Sequence, residues 1–156
     1  MFLDEGRFAC ALAALDRRDF FDAEREFSDL LARDRLGSAE RAFLLNKRGV
    51  ARVGLQLRDL ARADFSAALE VAPRYAPAMT NLGNLLIDEG KVDAAIERYE
   101  SAVAADPEYA VAYLNLSVAY KRSGRLAEAV RALRRSQKIE GRRPSAASFW
   151  RRARRR

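Results

Sequence analysis

A recurrence at 34 residues constrains this chain more than any other feature. Residues 76–107, APAMTNLGNLLIDEGKVDAAIERYESAVAADP, read as two short helices joined by a turn at Asp88-Glu89-Gly90. Moving on by 34 residues carries Leu82-Gly83 to Leu116-Ser117, Gly90 to Gly124, and Ala95, Tyr99 and Ala102 to Ala129, Leu133 and Ser136. Moving back by 34 lands on Gly49, Ala61, Phe65, Ala68 and Pro73. An earlier and weaker copy needs a step of 38, giving Ala23, Phe27 and Leu30. A fixed period in this range means stacked supersecondary units, each too small to bury its apolar face alone.

The residue types suit stacked helix pairs. Gly49, Gly83 and Ser117 are small, so two helices can approach closely there. A glycine inside a helix costs about 1 kcal/mol against alanine, so its recurrence at one register asks for a packing reason. Phe65 and Tyr99 fill space between units, and Pro73 and Pro107 end second helices, since proline lacks a donor and clashes with the preceding turn. The spacing predicts helix pairs at 5–17 and 20–34, 39–54 and 59–72, 76–89 and 92–105, and 110–123 and 126–139. No stretch alternates as a strand would. Ala61, Phe65, Ala95, Tyr99, Ala129 and Leu133 are the expected core.

This pattern resembles the tetratricopeptide repeat over most of the chain. The third copy is near the family's pattern. The second has Arg48-Gly49 in place of the Leu-Gly pair, the fourth has Ser117 for the glycine, and the first has Ala11 there and Arg18 at the turn glycine. The resemblance implies an all-α solenoid of four units, about 4–37, 42–75, 76–109 and 110–141, followed by a basic C-terminal segment at 142–156. It also implies that the first helix of each unit lines a concave groove. The expected activity is then non-catalytic: a scaffold or adaptor holding a peptide or helix of another protein, as an assembly factor or complex subunit would.

Composition narrows the alternatives. The chain has 156 residues, one domain's worth, with an ordinary apolar fraction of 49%. There is no histidine, and Cys10 is the single cysteine, so neither a histidine acid-base pair nor an internal disulfide is available. No nucleophile-base pair, metal set or phosphate loop stands out, and no cofactor is expected. The longest uncharged apolar run, residues 8–15, is too short for a bilayer span of about 20 residues. Acids precede that run, unlike a secretory signal, so a cytoplasmic protein, peripheral to a membrane at most, is expected. The excess of arginine over lysine and the abundant alanine hint at a GC-rich, bacterial coding sequence.

Carrying the register over places Lys47, Asn81 and Asn115 at equivalent groove positions, with Asn46, Asn84, Asp88, Lys121 and Arg122 on the same side. An asparagine amide offers both donor and acceptor to a peptide backbone. The plain alternative is a solvated polar face. The first unit offers Phe8 and Leu12 where a clamp for a C-terminal carboxylate would need polar groups, and the stripe Phe8, Leu12, Leu15 reads as core.

Charge is segregated. All 22 acids lie at or before Glu140, and seven of the 29 bases lie after it: Arg142, Arg143, Arg151, Arg152, Arg154, Arg155 and Arg156. The body is therefore neutral and the tail carries the net charge of +7. A short helix at 144–154 is expected, in which Phe149 or Trp150 caps the apolar end of the array at Leu126, Val130 and Leu133. The arginines are a candidate contact for nucleic acid, anionic lipid or an acidic protein surface.

Overall fold

The structure, a computed structural model, describes residues 5–32 and 36–142. They form eight helices: α1 (Glu5–Asp16), α2 (Phe20–Leu31), α3 (Ser38–Gly54), α4 (Arg58–Val71), α5 (Ala76–Asp88), α6 (Val92–Ala105), α7 (Ala110–Arg122) and α8 (Leu126–Arg142). No strand occurs among the described residues. Consecutive helices pack as four hairpins, and first helices also touch across units, α3 on α5 and α5 on α7. These are the four helix pairs expected, with ends shifted by a few residues. The main departure is α8, which continues through Gly141 to Arg142 where a break was expected.

Each hairpin turns through one residue in the left-handed region. Gly90 (φ 75°) and Gly124 (φ 78°) supply it without a side-chain penalty, while Arg18 (φ 61°) and Gln56 (φ 63°) adopt it despite a Cβ. The helix starts are modestly capped. Asp19 accepts from the Asp22 amide at 3.3 Å, and Glu40 reaches back to the Gly37 amide at 3.0 Å.

The core runs through each helix pair and on across the junctions between units. Phe27 and Leu30 of α2 bury against Leu44 and Ala51 of α3. Phe65 and Ala68 of α4 bury against Ala78, Leu82 and Leu85 of α5. Ile96 and Tyr99 of α6 bury against Leu116, Ala119 and Tyr120 of α7. Fully burying an aromatic of this size stabilises by about 2–3 kcal/mol. Phe8, Leu12 and Leu15 are half-buried against the first of these clusters, so that stripe is core.

The recurring glycines sit under aromatic rings. A Cβ on Gly83 would lie 2.5 Å from the Tyr99 ring, and one on Gly49 would lie 2.4 Å from Phe65. Both contacts are within a unit, so the small residue and the large ring are one packing device. Gly54 makes a similar contact across units, against Phe20 of α2, a pairing the period did not reveal.

One core expectation fails. Ala61, Phe65, Ala95, Tyr99 and Ala129 are buried, but Leu133 is 38% exposed. Its register partner Tyr99 is covered by the next unit's first helix, and no described residue follows α8 to cover Leu133. Leu126 and Val130 are exposed beside it for the same reason. The expected helix at 144–154, with Phe149 and Trp150, lies outside the described residues.

Candidate partner-binding face

The first helices carry a continuous line of amides. Asn115 Nδ2 on α7 donates to Asn84 Oδ1 on α5 at 2.9 Å, and Asn81 Nδ2 on α5 donates to Asn46 Oδ1 on α3 at 2.9 Å. Asn84 Nδ2 faces Asn81 Oδ1 at a long 3.5 Å, so every step runs in the same direction. The Tyr99 hydroxyl, from under Gly83, donates to Asn84 Oδ1 at 2.7 Å. The ring that locks a unit together therefore also fixes the middle of the line.

These bonds leave capacity over. The amide nitrogens of Asn81, Asn84 and Asn115 each carry two hydrogens and spend one along the line, and Asn115 Oδ1 has no protein donor among the described residues. Asn46 is buried at 5% exposure, Asn81 and Asn115 are half-buried, and Asn84 is exposed. The exposure of Asn84 and the partial exposure of Asn81 and Asn115 leave these amides accessible to solvent or to a ligand. Beside the line lies a cleft of about 210 Å³ walled by Val50, Val53, Phe65 and Leu85, with Asn81, Asn84 and Asp88 at its polar edge. An apolar cleft next to an ordered row of amides is chemistry suited to an extended polypeptide.

The basic residues are dispersed rather than gathered. Lys47 sits with its ammonium 5.3 Å from the Phe43 ring centre. Lys121 borders a second cleft at the far end of the array. Arg122 is exposed, and its charge partly offsets the burial that pushes the Tyr99 phenol up to about 12. Asp88 pairs with Arg58 at 3.4 Å. The face thus brings Asn46, Asn81, Asn84 and Asn115 together and leaves Lys47, Lys121 and Arg122 apart from them. In the tail set, Arg142 lies 3.7 Å from Glu108. Arg143, Arg151, Arg152, Arg154, Arg155 and Arg156 lie outside the described residues.

Sequence reasoning missed an ionic cluster where the first two units meet. Arg48 holds Asp64 through both oxygens at 2.7 and 3.0 Å, and its other nitrogen donates to the Ser28 hydroxyl. Arg52 bridges Asp64 at 2.9 Å and Glu24 at 2.8 Å. Asp64 is 3% exposed, so the cluster replaces apolar packing with charge-assisted bonds. The available signal was Arg48 at the leucine position, with an acid one residue before Phe65.

Among the described residues no group of histidine, cysteine or acidic side chains could hold a metal ion, and no helix is long and apolar enough to cross a membrane.

Comparison with known proteins agrees with this architecture. The tetratricopeptide repeat family profile matches residues 86–149. A crystal structure of MamA superposes with a TM-score of 0.69 at 23% identity, over 88% of this chain and 78% of that one. YrrB, described as "a TPR protein with an unusual peptide-binding site", superposes with a TM-score of 0.62 at 20% identity, over 88% of this chain and 69% of that one. Identities this low speak to the fold. With the period and the four hairpins, these matches show a tetratricopeptide-repeat-like helical array, and the family's own profile covers its C-terminal part, residues 86–149.

Proposed function

We propose that the first-helix face holds an extended segment of another protein through its main chain. The observation that carries this reading is the amide line Asn46–Asn81–Asn84–Asn115, which crosses three helices and three units. A line of amides already ordered by one another needs little rearrangement to bond a strand laid along it. Preorganisation of this kind reduces the entropy lost on binding. The ligand's carbonyls would take the spare amide hydrogens, its N–H groups would meet Asn115 Oδ1, and one apolar side chain would enter the cleft at Val50, Val53 and Leu85. Such a grip reads the backbone more than the side chains. It suits an adaptor or assembly factor that gathers several clients, and the peptide-binding description of YrrB, a protein of similar fold, supports the same direction.

The test begins with peptides selected against the full chain from a random extended library. Side-chain amide resonances are then followed by NMR during titration. The proposal expects Asn81, Asn84 and Asn115 to shift together. Shifts confined to the second helices, α2, α4, α6 and α8, would overturn it.

A further inference from the structure

The outward faces of α6 and α8 carry opposite charge at the same register. On α8, Arg131, Arg134, Arg135, Lys138 and Arg142 stand at i, i+3, i+4, i+7 and i+11, the spacing of one helical face, turned away from the buried Ala132 and Ile139. The residues 34 earlier are Glu97, Glu100, Ser101, Ala104 and Glu108. Three acids on and just after α6 therefore become three arginines on the next second helix. All of these charged side chains except Arg135 are exposed.

The two ridges adjoin. Both α6 and α8 pack on α7, and Arg135 reaches Glu108 at 2.7 Å, with Arg142 3.7 Å from the same carboxylate. These contacts leave most of the charge unmatched. Arg131, Arg134 and Lys138 pair with no acid among the described residues, and Glu97 pairs with no base. Glu100 accepts from the Tyr120 hydroxyl at 2.5 Å, which leaves its charge unpaired.

This juxtaposition restricts the partner. A nucleic-acid duplex or a lipid headgroup surface is wider than one helix, about 10 Å, so phosphates drawn to α8 would also be pressed onto the α6 acids. A fitting partner needs the same two ridges in the opposite order. We propose that it is a second copy of this chain, joined through the α6–α8 face about a two-fold axis parallel to those helices. Such an axis lays the basic ridge of each copy on the acidic ridge of the other. The period brings equivalent residues of α6 and α8 to one height, so the pairing has a register: Arg131 meets Glu97 of the other copy and Arg134 meets Glu100, each twice. A two-fold axis running across the helices would set like charge on like. Ion pairs between exposed side chains contribute little each, so the association is weak and salt-sensitive. The asparagine line lies on first helices and stays uncovered in each copy.

Sedimentation equilibrium of the full chain reads this directly. At low ionic strength the mass should climb from one copy to two with concentration and stop there. It should return to one copy near 1 M salt, where charges are screened beyond about 3 Å. Arg131→Glu and Glu97→Arg should each weaken association about tenfold, since each sets like charge on like at two symmetric places. Neither residue has an ion pair within its own chain to lose, so the helical circular dichroism should hold. Mixing the two variants should restore the dimer, and so should both substitutions in one chain. A chain that stays monomeric at low salt up to its highest soluble concentration would overturn the proposal. So would growth past two copies, association indifferent to either substitution, or a mixture that associates no more tightly than its components.

Discussion

Gly83→Ala is a one-carbon perturbation whose sign the structure decides. Alanine is the better helix former by about 1 kcal/mol, so on propensity alone the change stabilises α5. The new methyl would lie 2.5 Å from Tyr99 Cε1 and 2.9 Å from Cδ1, where carbon contacts relax at about 3.5–4.0 Å. The ring must therefore retreat by about 1 Å. It has little room, being 2% exposed and tied through its hydroxyl to Asn84 at 2.7 Å. Overpacking of this kind costs about 1–3 kcal/mol, which outweighs the propensity gain and leaves a net loss of about 1–2 kcal/mol. Unit four uses a smaller pair at the same register, Ser117 with Leu133. In a Tyr99→Leu background the methyl should fit, and Gly83→Ala should be neutral or stabilising. Urea unfolding of the four proteins closes a double-mutant cycle, with an expected coupling of about 1–3 kcal/mol. A Gly83→Ala variant as stable as the parent, or a coupling near zero, would refute the argument that the ring is the reason for the glycine.

Three further outcomes follow from the geometry. Gln56→Gly should raise stability by about 1 kcal/mol in urea unfolding, because Gln56 holds φ 63° with a Cβ at the turn position where the later units use glycine. Asp64→Ala should cost about 3 kcal/mol by leaving Arg48 and Arg52 facing one another, and adding Arg48→Leu, after the Leu116 and Ala132 pair of unit four, should recover most of it by the same assay. Tyr75, Tyr99 and Tyr120 are each pushed up to about 12, chiefly by burial, against about 10 in the unfolded chain. Their folded values are raised, so their contribution is fully present below pH about 10 and is lost as pH climbs toward 12. Ultraviolet titration should show these phenols ionising together with loss of helix, and ionisation near pH 10 without unfolding would count against the burial.

The period made much of the fold legible because each unit asks the same thing of the same register. Gly49 under Phe65 and Gly83 under Tyr99 are visible as recurring small and large residues before any distance is known. Arg18 stood at the turn position by register, and it adopts the left-handed conformation there. Copying a role along the register failed at Leu133, whose burial depends on what stacks upon it rather than on its own unit. The site was legible only as a set of residues. That Asn115, Asn84, Asn81 and Asn46 bond one another depends on the spacing between α3, α5 and α7, which spacing along the chain does not encode. The ionic cluster stayed hidden for a related reason. Arg48 and Asp64 each read as surface charges until the helix pair brings them to 2.7 Å.

The most direct test of the account is the affinity of a partner, captured on the intact protein from its source cell and identified by mass spectrometry, for the Asn81→Ala/Asn115→Ala double variant. Each asparagine should contribute about 1 kcal/mol through its spare hydrogen-bonding groups. Together they predict a loss of at least tenfold, which corresponds to about 1.4 kcal/mol. The helical circular dichroism should stay at the parent level, since neither side chain lies in the apolar core. Unchanged affinity in a folded double variant would contradict the central claim and move the binding site away from the first-helix face.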